Sequence, residues 1–244
     1  MKFTQNYTIR WHDTNANREI TPSAILTLMQ ETTNHHIKTM YPSLEYIRDV
    51  LHQAFILTKV YMRFYKPAHA YETITVETWT GVESRGFTFF RSFCVKRGDE
   101  VIADALTNWC LIDTETHKLL PVTKFENNFI DEPSLDVNMP RKIKFPDELE
   151  FISTRKIVYS DIDYNKHMNN THYPSMLIDF LPSPEQYRVK ELMLSFVSGA
   201  IYNDEIEIHR AYEDSTFYFK TISSSQKTCL EAFVNTEKQE FEIK

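Results

Sequence analysis

The chain has 244 residues, a formal net charge of −7 and 42% apolar residues, enough for one large domain or two small ones with a true core. Its four glycines leave no GxGxxG dinucleotide loop, no GxxxxGK(S/T) phosphate loop and no GxSxG nucleophile elbow. Net acidity disfavours nucleic acid, which selects a basic face, and no apolar run approaches the ~18 residues of a membrane span.

In chain order, a polar opening, MKFTQNYTIR, lacks the apolar stretch of a signal peptide, so a cytoplasmic location is expected. A short strand is predicted over YTIRWHD, then a loop with Asp and Asn. Thr21 is a good N-cap, and Pro22 at the first helical position has no amide to satisfy. The helix PSAILTLMQETTNHHIKTM follows, apolar at Ile25, Leu28, Met29, Ile37 and Met40. LTKVYMRFY, ETITVETW, FTFFRSFCV and EVIADALTNWCLID then read as strands, with a hairpin turn at KRGD. The stretch Val122 to Glu150, rich in Pro and charge, reads as a linker over the surface. Beyond it the order recurs: strand KIVYS, an Asp/Asn loop, a helix capped by Asn169 or Asn170 with Pro174 in its first turn, then ELMLSFVS, EIEIHRAY, STFYFKTI and TCLEAFVN.

The recurrence is residue by residue. At an offset of 148, Ile9, Trp11, Asp13, Asn17 and Ile20 meet Ile157, Tyr159, Asp161, Asn165 and Met168. At an offset of 132, Val60, Met62, Phe64, Ile74 and Val76 meet Leu192, Leu194, Phe196, Ile206 and Ile208. The chain is therefore a duplication, with extra residues in the first copy around YPSLEYIRDVLHQAF. The expected organisation is residues 1–122 as a first domain, 123–150 as linker and 151–244 as a second domain. The class is α+β, each unit an antiparallel sheet wrapped around a long helix.

The string SDIDYNKHMNNTHY, Ser160 to Tyr173, lies between the strand and helix of the second copy. It resembles the acyl-acyl-carrier-protein thioesterases, the plant chain-terminating enzymes and their bacterial relatives. The resemblance implies two tandem hot-dog domains and hydrolysis of fatty acyl-carrier-protein thioesters, with water as nucleophile and the acylated carrier as partner. It implies no metal or organic cofactor. It assigns catalysis to Asp163, Asn165 and His167. The family also carries an acid on the strand after the helix. Here the ungapped alignment puts Gly199 and Ala200 at that place, unless a local shift brings Asp204 or Glu205 nearer. Acyl-coenzyme A hydrolysis, a hot-dog hydratase or dehydratase, and a non-catalytic acyl-binding protein are the alternatives.

The residue types suit the chemistry. An imidazole takes and gives protons near neutral pH, and an amide can hold a carbonyl. A helix start offers free N–H groups, so Met168 to Thr171 are the candidate oxyanion donors. Asp163 would orient the amide or the ring. Cys94, Cys110 and Cys229 sit in apolar strands and read as packing rather than nucleophiles. The first copy has Asn15, Asn17 and Glu19 where the second has the trio, which makes it the pocket-forming unit. Ile25, Leu28 and Met29 either set acyl chain length or simply fill the core. Asp161, matched by Asp13, reads as structural. His35 and His36 are adjacent on a helix and cannot share a metal. The PRKIK run from Pro140 to Lys144, with Arg85, Arg91, Lys96 and Arg97, would meet an acidic carrier or coenzyme A phosphates, or else form a solvated face. A duplicated unit can satisfy its own pseudo-twofold interface, so monomer and homodimer are both expected states.

Overall fold

Period-two alternation in both halves builds one continuous sheet. The structure is a computed structural model that describes residues 2–125 and 131–239. In the first half the long strands are β1 (Phe3–Thr8), β2 (Gln53–Phe64), β3 (Thr73–Gly81), β4 (Phe89–Arg97) and β5 (Glu100–Asp113). In the second they are β6 (Glu150–Lys156), β7 (Tyr187–Phe196), β8 (Glu205–Glu213), β9 (Thr216–Ser223) and β10 (Thr228–Lys238). Their order across the sheet is β1-β3-β4-β5-β2-β7-β10-β9-β8-β6, a palindrome of the two copies. The halves join where β2 pairs antiparallel with β7, from Lys59 opposite Ser195 to Arg63 opposite Glu191.

The first helix, α1 (Pro22–Lys38), starts as its sequence dictates: the Thr21 side chain accepts from the Ala24 amide at 3.1 Å. It buries Ile25, Leu26, Met29 and Ile37 against the sheet. The extra residues of copy one form α2 (Leu44–Asp49), capped by Ser43, whose Ile47 packs on Leu111 and Phe125. The second-copy helix, α3 (Tyr173–Asp179), is much shorter than α1 and follows a single 3-10 turn, Asn170–His172. Pro182 and Pro184 forbid its continuation, and Arg210 donates to the Phe180 carbonyl at its end. The two helix starts meet at Ser23 and Ser175, whose hydroxyls lie 2.7 Å apart. One apolar core spans both halves, with Val60 and Met62 of β2 beside Leu192 and Leu194 of β7.

Two expectations shift. The opening strands end earlier than their apolar patterns suggest: Trp11–Asp13 and Tyr159–Asp161 are 3-10 turns. The linker is also more than a surface tether. Ile143 is buried against Tyr61 and Met193, with Val137, Met139 and Phe145 beside it, and Leu135 donates to Ser92. It straps the outer face of the sheet across the seam between halves. The linker reading at 126–130 lies outside the described residues.

Beneath the later turns of α1, His36 is buried, stacked on Phe3 and 3.1 Å from the Arg91 guanidinium. Burial first, and then Arg91, push its pKa down from 6.5 to about 4. The folded state thus favours neutral imidazole. Its stabilisation is complete above about pH 6.5 and is lost as pH falls towards 4, on the order of 3 kcal/mol in all. Calorimetry from pH 7.5 to 4.5 should show a melting temperature that falls in the natural chain and much less in His36→Gln. Arg91, buried here, cannot meet a carrier protein, which corrects that part of the basic-face expectation. Lys96 pairs with Glu77, and Arg97 with Glu72 and Glu100.

Candidate active site

Each half places the same turn between its first strand and its helix. In the second copy, the buried Asp161 carboxylate accepts from the Val158 amide at 3.0 Å and from Arg155 Nη2 at 2.7 Å. Burial alone would raise this carboxyl, but the Val158 amide, Arg155 and His172 outweigh it and hold it below the usual range. In the first copy, Asp13 does the same work with the Arg10 amide and side chain. The Asp13 and Asp161 carbonyls then accept from Thr21 and Asn169, the cap residues of the two helix starts. Asp161 is therefore structural, as its recurrence suggests.

The trio lies on the next loop. Asp163 N donates to the His167 carbonyl, Lys166 N to the Asp163 carbonyl, and Asn165 N to Asp163 Oδ1 at 2.8 Å. Lys166, at φ 65°, closes the loop. Copy one repeats this bond for bond: Asn15 N to Glu19 O, Arg18 N to Asn15 O, Asn17 N to Asn15 Oδ1, and Arg18 at φ 62°. Asp163 is half-buried, and Asn165 and His167 are exposed. All three thus share one turn, with one Asp163 oxygen engaged in shaping it. The His167 backbone bridges to Ile201, and its ring lies against Gly199.

Three expectations are corrected. Of the amides from Met168 to Thr171, Met168 donates to Ala200 O, Asn169 to Asp161 O and Thr171 to Asn169 Oδ1. Among the described residues, only Asn170 of this run has an amide without such a partner. Asp204 is engaged elsewhere: its Oδ1 accepts from the Ser224 hydroxyl at 2.7 Å. Glu205 begins β8 opposite Lys156, exposed to solvent. The cysteines read as expected: burial raises the thiols of Cys94, Cys110 and Cys229, and none is a poised nucleophile. Ile25 and Met29 belong to the main core, with Leu28 packed against it.

A cavity of about 530 Å3 opens between the two helix starts, lined by Thr21, Ser23, Arg155, Asn169, His172 and Asp179 among others. The trio borders it in sequence but does not line it. On the trio's other flank, α2 of copy one brings Arg48 within electrostatic reach of Tyr164. Motif reading reveals neither Arg155 nor His172 as site neighbours. The signal that exists is the recurrence itself, since residue 161 needs a cation as residue 13 does.

Glu19, standing where His167 stands, is not idle. Its carboxylate receives Arg188 Nη2 at 2.5 Å and Nε at 3.2 Å, and Asn17 Nδ2 donates to Glu185 O at 3.2 Å. The first-copy turn clamps the start of β7. Glu19→Ala should lower the melting temperature by about 3–6 °C, for roughly 1–2 kcal/mol. Turnover should stay near that of the natural chain; a collapse would return copy one to the chemistry.

A family model for the acyl-ACP thioesterase N-terminal domain matches residues 1–128, and one for the C-terminal domain matches residues 146–242. A chloroplastic acyl-[acyl-carrier-protein] hydrolase of Cuphea viscosissima is 25% identical over 209 residues, 78% of this chain and 49% of the relative. The chain spans about half the length of the curated relatives it matches. The crystal structure of an acyl-ACP thioesterase from Bacteroides thetaiotaomicron superposes with a TM-score of 0.86 at 18% identity, covering 97% of this chain and 98% of that one. The 12:0-ACP thioesterase of Umbellularia californica gives 0.82 at 17% identity, covering 98% of each. These likenesses confirm the tandem hot-dog fold. Among the described residues, no helix is long and apolar enough to cross a membrane.

Proposed function

The chain belongs to the acyl-ACP thioesterase family, and on that premise we propose that it hydrolyses fatty acyl thioesters of acyl carrier protein to free fatty acid and carrier thiol. The observation that carries the reading is the second-copy turn. It presents Asp163, Asn165 and His167 together where the matching first-copy turn presents Asn15, Asn17 and Glu19. Water attacks the thioester carbonyl while His167 takes its proton. The C–S bond breaks, and the imidazolium returns that proton to the leaving thiolate. Asn165 steadies the carbonyl through its amide, and Asp163 sets the loop on which both stand. Residues 151–244 form the catalytic domain and 1–122 the pocket-forming domain, with 123–150 as the linker between them.

A second reading, a non-catalytic acyl-binding protein, is favoured by one feature: Gly199 carries no acid, and Asp204 faces Ser224. Thiol release decides between the two. Acyl-carrier-protein and acyl-coenzyme A thioesters of several chain lengths, at equal concentration, should both be tried. Faster release from the carrier supports the proposal, faster release from coenzyme A shifts the substrate, and binding without release supports the second reading.

A further inference from the structure

Gly199 follows β7 and precedes the segment that pairs with the His167 turn. Met168 N donates to Ala200 O at 2.8 Å, and the His167 backbone bridges to Ile201. Behind this segment, Ser198 donates to Thr228 O at 2.8 Å. Ser198 N also donates to the Cys229 carbonyl at 3.3 Å, and Asp204 N to the Ile201 carbonyl at 3.1 Å. Residues 198–201 are thus held from several sides and cannot easily yield. Gly199 does not have a positive φ, so no backbone torsion demands glycine there. What demands it is space. A Cβ on Gly199 would lie 2.2 Å from His167 Cδ2, 2.6 Å from Cγ and 2.7 Å from Nε2. The Cγ–Cδ2–Nε2 edge rests on the bare backbone, with Nδ1 and Cε1 farther away.

The first copy supplies an internal control. At the matching offset Pro67 takes the place of Gly199, Ile20 N donates to Ala68 O, and the Glu19 backbone bridges to His69. There the side chain that would occupy the seat is drawn away to Arg188. Where the turn carries an imidazole the opposite residue has no side chain, and where it carries Glu19 the opposite residue has one.

We propose that Gly199 is a positioning residue: the space left by its missing side chain is the seat that fixes the His167 ring for proton transfer. This rests on the hydrolase reading for its catalytic part. A side chain at position 199 and an imidazole in this seat exclude one another.

The test is a cycle of Gly199→Ala, His167→Ala and the double variant, with three readouts. Gly199→Ala should lower kcat roughly tenfold to a hundredfold, with KM changed little, because small misplacements of a catalytic group are costly. The C2–H resonance of His167 should move in Gly199→Ala at fixed pH, because the ring leaves its place over the residue 199 backbone. The melting-temperature loss caused by Gly199→Ala should vanish when His167 is already alanine. An unmoved His167 resonance, or equal melting losses in both backgrounds, overturns the proposal. A natural chain that turns over no acyl thioester overturns the hydrolase reading instead, and the resonance position and thermal cycle still decide the role of Gly199.

Discussion

His167→Ala should lower thioester turnover by about 10²–10⁴-fold, the usual contribution of a positioned general base. The melting temperature should barely move. The bonds that His167 contributes to its turn are made by its backbone: its carbonyl accepts from Asp163 N, and the following residue donates to Ala200 O. Alanine keeps both, and the ring it removes is exposed. A large loss of stability with little loss of rate would make the imidazole a structural filler over Gly199. Asp163 separates shape from charge. Asp163→Asn retains an oxygen for the Asn165 amide and so retains the loop, whereas Asp163→Ala loses it. Steady-state hydrolysis of one carrier thioester across these variants measures all three effects.

The duplication was readable because core positions repeat at the strand period, and a slip of one residue would turn them outward. The Thr21 cap and Pro22 were readable because they act within one turn of chain. What stayed hidden depends on contacts far apart in sequence. The palindromic sheet follows from β2 pairing with β7, which no local pattern announces. Strand ends were misplaced because Ile9 and Ile157 are fully buried in a 3-10 approach rather than in a strand. The brevity of α3 is written in Pro182 and Pro184, which follow its end within a few residues. Asp163, Asn165 and His167 stood out because one short turn holds them. Gly199 stood out only as the place of a missing acid, since its contact with the His167 ring exists only once the chain is folded. Likewise the role of Glu19 depends on Arg188, from the other half of the chain.

Asp161→Ala should destabilise the protein by about 3–5 kcal/mol, a fall of roughly 10–15 °C in melting temperature. The carboxylate is buried, and its removal leaves Arg155 beside the central cavity without its 2.7 Å partner and Val158 N without an acceptor. Asp13 occupies the matching site, but its partner Arg10 has a side chain 72% exposed, against 28% for Arg155. Water can take over from Asp13 around Arg10 and cannot do so as readily around Arg155. Asp13→Ala should therefore cost only about 1–2 kcal/mol, although the two turns share one geometry. The difference should also depend on pH. Asp161 has a folded pKa below its ordinary 3.8, so its stabilisation is present above that value and disappears as pH falls through the folded pKa. Denaturant melts at pH 7 should separate Asp161→Ala clearly from the natural chain, and the gap should narrow as the melts are taken to successively lower pH below 3.8. Equal losses for the two aspartates at pH 7 would mean that the exposure of the arginine partner does not set the cost, and that the backbone amide each carboxylate accepts from does.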